Sequence, residues 1–170
     1  MGFVFLLWLR SLPEPWVDFK DPKGLFEVQF PDPPRVQGRP MPTFTGSIVS
    51  ETVYTYGSGF EDEQFSLGAF ALDAALPDDK LEATFEAAFD EMLKPLETAM
   101  PRITARRPWT LAGQPGRETV VDIEKGEGTF VARVLVIDRK HVVRLSTLVH
   151  AHHHGENDAR FLGSFKLVGR

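Results

Sequence analysis

Histidines are the residues best suited to chemistry in this sequence. Four of the five stand close together in the stretch His-Ala-His-His-His that begins at His150. His150 and His152 are two residues apart, so both side chains leave the same face if the strand before them continues. Such a pair can hold zinc, with His154, Glu156 or Asp158 as a third ligand. The alternative is a polar loop between a strand and a helix. We favour the loop because the sequence does not indicate which residues would form a pocket around a metal ion.

The common catalytic and nucleotide-binding motifs are absent from the sequence. The Gly-Ser-Gly at 57–59 lacks the spacing of a serine nucleophile elbow. The glycines at 125–130 lack the lysine of a phosphate-binding loop. The acidic run at 61–63 lacks calcium-loop spacing, and the absence of cysteine excludes thiolate nucleophiles and disulfides. We therefore predict that the protein is not an enzyme and carries no cofactor.

The composition is that of an ordinary globular domain. The chain has 170 residues, 42% of them hydrophobic, and a formal net charge of -5, which suits one domain. Fourteen phenylalanines favour a core rich in β-sheet. The densest basic stretch is Arg102, Arg106 and Arg107, which is too short for a phosphate-binding surface. We predict a solvated strand edge there and no nucleic-acid partner.

The first fifteen residues differ from the rest of the chain. Phe3 to Leu9 are seven apolar residues in a row, whereas a membrane-spanning helix needs about 20. A basic region before them and a small-residue cleavage site after them, as in a signal peptide, are absent. Residues 1–15 are therefore either a remnant export signal or an apolar arm, and residues 16–170 form a single domain. We predict no transmembrane segment.

Strand patterns dominate the first half of the domain. Phe26, Val28 and Phe30 alternate with polar residues, which predicts a half-buried strand after a turn at Asp-Pro-Lys-Gly. Residues 46–58 and 61–74 are rich in β-branched and aromatic side chains, which predicts an antiparallel hairpin. The many prolines between residues 13 and 42 restrict any strand there to short segments or edges.

Helical periodicity begins at Leu81 and continues to about Leu96. The apolar residues recur at helical spacing, so one face should be buried. Asp79 is the expected N-cap, with Glu82 completing a capping box. Pro95 should kink or end the helix.

The rest of the chain predicts a meander of strands, a short helix and a last strand. The turns between the strands are short, so neighbouring strands should pair antiparallel. The fold class is α+β: a mostly antiparallel sheet of about six to seven strands with helices packed on its faces. The four meander strands and the helix are Ile103–Leu111, Arg117–Glu124, Thr129–Asp138, His141–His150 and Asn157–Ser164, and the last strand is Phe-Lys-Leu-Val from residue 165.

Aromatic side chains give a second set of candidate site residues. Tyr54, Tyr56, Phe65 and Trp109 could line a concave sheet face that binds a protein segment or an apolar ligand. Ordinary core packing is the alternative, and we favour it because buried aromatics are common.

The face of the last long strand that carries His150 is expected to be partly solvated. Arg144 and Ser146 share that face by the period of two of a strand.

Three short motifs give the chain a resemblance to the PsbP-like proteins. Residues 16–34, "WVDFKDPKGLFEVQFPDPP", resemble the family's opening aromatic, glycine turn and proline-rich exit. Leu111–Glu118, "LAGQPGRE", and Asp158–Leu167, "DARFLGSFKL", resemble its central turn and its ending. The resemblance covers Trp16 to Val168. It places Gly24 and Gly116 in turns, and its three motifs are structural.

The resemblance implies an α/β/α sandwich and a role in binding. The fold is shared with a subunit of photosystem II, a Ran-binding import factor, DcrB-like envelope proteins and Eag-type secretion chaperones, and the chain looks closest to bacterial members without an assigned role. We predict a non-catalytic binding or accessory protein with a protein partner, as a monomer or homodimer. One alternative is a chaperone that shields apolar segments; another is a metal-dependent enzyme or metal-binding protein using the His150–His154 loop. An exported, periplasmic location is favoured over a cytoplasmic one.

Overall fold

Ten strands and two helices make up the described part of the chain. The structure is a computed structural model, and it describes residues 16–43, 47–57, 63–123, 128–150 and 156–169. The elements are β1 (Val17–Lys20), β2 (Phe26–Phe30), β3 (Arg35–Pro42), β4 (Ile48–Tyr56), β5 (Gln64–Ala71), α1 (Leu81–Leu93), β6 (Pro101–Leu111), β7 (Gln114–Ile123), β8 (Gly128–Ile137), β9 (His141–His150), α2 (Glu156–Ser164) and β10 (Lys166–Leu167).

The main sheet has seven strands within these residues, in the order β3-β4-β5-β9-β8-β7-β6. Every neighbouring pair is antiparallel. This confirms the predicted fold class, the 46–74 hairpin and the four-strand meander. β1, β2 and β10 form a second, three-stranded sheet, which the sequence pattern did not predict.

The main sheet is covered on both faces. On one face, here called the α1 face, Phe85 and Phe89 of α1 pack against Val121, Val134 and neighbouring side chains. On the other, the α2 face, α2 and the second sheet bury Phe26, Phe30, Phe161 and Phe165 against β5, β8 and β9. β8 lies inside the sheet, as its apolar sequence predicts.

The start of α1 differs from the prediction. α1 begins at Leu81 with Lys80 as N-cap, and no side chain caps it. Asp79 lies inside a 3-10 turn at Asp78–Lys80, so it cannot occupy the N-cap position. Glu82 forms an ion pair with Arg117 instead of completing a capping box. The predicted capping box is therefore wrong.

α1 ends next to Pro95, as predicted, and its last residue comes before the predicted end at about Leu96. The α-helix stops at Leu93, and a 3-10 turn continues over Lys94–Ala99 with Pro95 in its first turn. Leu96 remains buried against the α1 face, so the apolar periodicity continues past the end of the helix.

The proline-rich segment contributes a full strand. β3 holds eight residues, including Pro40 and Pro42, and it lies at one edge of the main sheet. The backbone groups of an inner strand form hydrogen bonds to neighbouring strands on both sides. Proline has no backbone N–H to donate, so a strand that contains prolines is suited to the edge of a sheet. The prediction of short or edge strands is confirmed, although β3 and β1 were not identified individually.

Gly24 and Gly116 have different roles. Gly24 has a φ of 71° in the β1–β2 turn, as predicted. Gly116 lies inside β7, so its predicted turn role is wrong. A Cβ there would lie 2.9 Å from Cε3 of Trp109 and 2.7 Å from the carbonyl oxygen of Val134. Gly116 therefore makes room for the Trp109 ring across the β6–β7 pair.

The basic stretch lies on β6, the other edge of the sheet. Each of its arginines pairs with a carboxylate: Arg102 with Asp122 at 3.1 Å, Arg106 with Glu86 at 2.6 Å, and Arg107 with Glu118. These partners neutralise the stretch locally. Within the described ranges, no helix combines the length and the apolar character that crossing a membrane requires.

Candidate binding site

All four aromatic candidates lie in or beside the core of the α2 face. Phe65 is buried and contacts the rings of Trp16 and Phe161 at 5.9 and 5.1 Å between centroids. The Tyr56 ring lies 5.9 Å from Phe65. The buried Tyr54 ring lies 4.6 Å from Phe19. These contacts are those of core packing.

Trp109 lies on edge strand β6 and packs against the same core. The guanidinium of Arg133 stands 4.9 Å from the centre of its ring, a cation–π geometry. Arg133 and Arg107 both bond to the buried carboxylate of Glu118, each at 2.6 Å through Nε. Burial by itself raises the pKa of Glu118, but these two hydrogen bonds lower it below its ordinary value. The four aromatics therefore belong to the packing of the α2 face.

Of the three histidine candidates, His150 lies within the described residues. His150 is buried at the end of β9. His152 and His154 lie outside the described residues, so the metal-site hypothesis stays a prediction. Within the described ranges, no three His, Cys, Asp or Glu side chains are grouped closely enough to hold a metal ion.

The face of β9 that carries His150 differs from the expectation of a solvated surface. Arg144 is only 3% exposed and His150 only 7%. Ser146, between them, is half-buried. The long side chain of Arg144 is buried because a carboxylate meets it inside the protein.

That carboxylate belongs to Glu51, which is fully buried in β4. Arg144 donates from Nε to Glu51 Oε1 at 2.8 Å and from Nη2 to Glu51 Oε2 at 2.5 Å. Arg39, on the edge strand β3, donates from Nε to Oε2 at 2.7 Å. One carboxylate thus joins two guanidinium groups that belong to strands β3 and β9.

Gly68 of β5 makes this arrangement possible. The strand register places it directly opposite Arg144 on one side and Val53 on the other. A Cβ at position 68 would lie 2.9 Å from Cδ of Glu51 and 3.5 Å from Nε of Arg144. Only a residue without a side chain lets the ion pair cross over β5, which explains a glycine inside a strand.

A cleft opens on the α1 face directly above this ion pair, and we call it the arginine cleft. Its volume is about 220 Å³. Its floor is sheet, where the small residues Ser66, Gly68 and Ser146 leave space beside Arg144. Its walls are mostly apolar, from the end of α1, the following 3-10 turn, and β4, β8 and β9: Val53, Met92, Pro95, Leu96, Phe130 and Leu148.

The arginine cleft carries a small excess of positive charge. With the Glu91–Lys94 pair included, Arg39, Arg144 and Lys94 contribute three positive charges, and Glu51 and Glu91 contribute two negative charges. Glu91 also lines the cleft, but it is paired with Lys94. Burial lowers the pKa of Arg144 and the charge of Arg39 adds to that shift, whereas the carboxylates of Glu51 and Glu91 oppose it. An arginine stays protonated in proteins despite such a shift.

One donor of Arg144 is unused. Its Nη1 is buried and has no hydrogen-bond partner among the described residues. A buried donor without a partner is costly and uncommon. An acceptor that entered the cleft and reached Nη1 would therefore gain a charge-assisted hydrogen bond.

A second cleft, of about 280 Å³, lies at the far end of the α2 face. Its lining includes Asp21, Tyr54 and His141. Burial raises the pKa of Tyr54, and the charge of Asp21 adds to the shift. Burial, Lys140 and Lys23 lower the pKa of His141, while Asp21 opposes them. Of the four aromatic candidates, Tyr54 is the one that lines either cleft.

Sequence reasoning missed the arginine cleft, although one signal was present. Arg144 interrupts an apolar strand, and Glu51 and Gly68 stand in two other strands with strong β pattern. A charged residue at an inward position of a buried strand calls for a partner of opposite charge. Which carboxylate supplies it depends on the strand order, which places β4 and β9 on either side of β5.

The comparisons with known proteins identify the architecture. No protein-family model matches the chain, and no curated protein matches its sequence. Among solved structures, cyanobacterial PsbP (CyanoP) from Synechocystis sp. PCC 6803 is similar, with a TM-score of 0.55. The two sequences are 13% identical, and the match covers 98% of this chain and 96% of CyanoP. The chain therefore has the PsbP-like fold that its three sequence motifs suggested.

Proposed function

We propose that the protein is a non-catalytic binding protein and that the arginine cleft is its binding site for an acidic group of a partner molecule. The observation that carries the proposal is Arg144, a nearly buried residue that lines an open cleft, is held there by Glu51, and has no described hydrogen-bond partner for its Nη1 nitrogen. Concave sites with mostly apolar walls and a few fixed polar groups are typical of ligand binding.

The chemistry of the lining supports binding over catalysis. Its arginine and glutamate side chains are engaged in ion pairs. The hydroxyls of Ser66 and Ser146 have no described histidine or carboxylate bonded to them that could act as a base. An arginine does not exchange protons near neutral pH. The lining can therefore fix an anion in place, and its carboxylate, Glu91, is engaged by Lys94.

The chaperone alternative has less support. A groove that shields apolar segments needs a continuous exposed apolar surface. The large exposed apolar side chains of the described residues include Val36, Ile48, Met100 and Ile103, which belong to different edges of the main sheet and its connections. We do not adopt that alternative.

The test uses the full chain labelled with ¹⁵N, titrated separately with acetate and with inorganic phosphate. We expect at least one anion to shift the Gly68 amide and the Arg144 side-chain Nε–H resonance in a saturable way. Ser146→Val fills the floor of the cleft without touching the ion pair and should abolish those shifts. Ser50→Val, at an exposed position of β4, is the matched control and should leave them unchanged.

Saturable shifts that survive Ser146→Val would place the anion elsewhere and overturn the proposal. So would the absence of saturable shifts for both anions in the wild-type protein.

A further inference from the structure

Three properties of the arginine cleft restrict the chemical class of ligand that it can bind: a single net positive charge, apolar walls and a small volume. This inference rests on the proposed function and goes one step beyond it, from an acidic group in general to one chemical class.

The charge favours a monoanion. A dianion such as phosphate would bring two negative charges next to Glu51, which is fully buried beside Arg144. The two guanidiniums of the cleft already share that carboxylate. A single carboxylate balances the one remaining positive charge and can accept from Arg144 and from the hydroxyls of Ser66 and Ser146, which line the same floor.

The walls and the volume favour a compact apolar group joined to that carboxylate. Met92 and Leu96 on one side and Phe130 and Leu148 on the other are apolar, so burying hydrocarbon between them is favourable. The cleft measures about 220 Å³, and a cavity of roughly 150 Å³ accommodates benzene. By comparison with that benzene cavity, the cleft has room for a ligand of about six carbon atoms, including the carboxyl carbon.

We infer that the arginine cleft binds a monocarboxylate bearing a short branched apolar group, with the carboxylate at Arg144 and the hydrocarbon between Met92 and Phe130. Two sources share this chemistry: a free short branched-chain acid, and the carboxyl terminus of a polypeptide that ends in a residue such as leucine.

The experiment measures dissociation constants for the full chain by calorimetry with defined probes. The free-acid arm uses 4-methylpentanoate and its neutral amide. The chain-terminus arm uses N-acetyl-glycyl-leucine and the same peptide with a C-terminal amide. In at least one arm, we expect the acid to bind at least tenfold more tightly than its amide, because the amide lacks the charge that Arg144 recognises.

Ser146→Val should abolish the binding of the acids, and Ser50→Val should preserve it. The arm with the tighter acid identifies the source of the ligand. Equal affinity of acid and amide in both arms, or acid binding that Ser146→Val does not change, would overturn the inference.

The two failures are distinguishable. Binding of phosphate at the cleft with no detectable binding of either acid would overturn the monocarboxylate inference and leave the proposed function standing. If neither phosphate nor acetate reached the cleft in the titrations above, the proposed function itself would fail.

Discussion

Replacing Glu51 by methionine is expected to destabilise the protein strongly, because it leaves the Arg144 charge buried without its carboxylate. Glu51 is fully buried and Arg144 only 3% exposed, so water cannot replace the lost partner. Three hydrogen bonds from Arg144 and one from Arg39 end on this carboxylate. Methionine preserves the length of the side chain and removes every acceptor.

The magnitude follows from these contacts. Each hydrogen bond to a charged group contributes about 1.5–3 kcal/mol, but bonds that share one carboxylate are not additive. Breaking a buried ion pair by removing one partner costs about 3–5 kcal/mol, which we take as the expected loss in free energy of unfolding. Because a domain has only about 5–15 kcal/mol in total, Glu51→Met should leave a protein that is folded but near its limit.

A double-mutant cycle separates this explanation from simple loss of packing. Arg144→Met should also destabilise, but less, because Arg39 is half exposed and continues to pair with Glu51. The double variant, with methionine at both positions, should be more stable than Glu51→Met alone, because no buried charge remains unpaired.

Urea denaturation followed by circular dichroism gives the four free energies of unfolding. Two results would refute the reasoning. One is a loss below about 1 kcal/mol for Glu51→Met, the value of an exposed ion pair. The other is a double variant whose loss equals the sum of the two single losses, since additivity would mean that the charges do not interact.

Two further predictions concern the α2 face. Gly116→Ala should cost about 1–3 kcal/mol of unfolding free energy, as overpacking does, because its Cβ would meet Trp109. Gly163→Ala, in open space on α2, is the control and should be neutral or stabilising in the same urea experiment. Equal losses for the two variants would contradict this explanation. The lowered pKa of His141 means that the unfolded state binds more protons between the folded pKa and about 6.5, so stability should fall as pH falls through that window. When the pH is lowered from about 7.5 to 5, the His141→Gln variant should lose less unfolding free energy than the wild type. Equal losses in the two proteins would show that His141 does not contribute to this pH dependence.

The overall fold was largely predictable because local pattern and global architecture agree in most elements. The alternation of Phe26, Val28 and Phe30 marks β2, and short turns impose antiparallel pairing on β6 to β9. The boundaries of those strands agree with the predictions within about three residues. β3 and the small second sheet were harder, because prolines interrupt the pattern of β3 and long-range pairing forms the sheet.

The candidate binding site was not predictable to the same degree. Tyr54, Tyr56, Phe65 and Trp109 were sensible candidates by residue type, yet each packs against other side chains of the α2 face. Residue type alone does not tell which face a covering helix and sheet will close. The arginine cleft opens on the opposite face, where serine and glycine replace larger side chains.

The sequence by itself determined most of the strands, both helices and the antiparallel order of the meander, because hydrophobic period and turn chemistry act between near neighbours. It also placed Arg144 in the last long strand, on a face that we expected to be partly solvated and that the structure shows to be buried at this residue. Only the tertiary structure decided that Glu51, 93 residues away, meets it across Gly68, because that meeting depends on which strands lie on either side of β5. The arginine cleft exists for the same reason: its floor and its walls come from segments that only the folded sheet and α1 bring together.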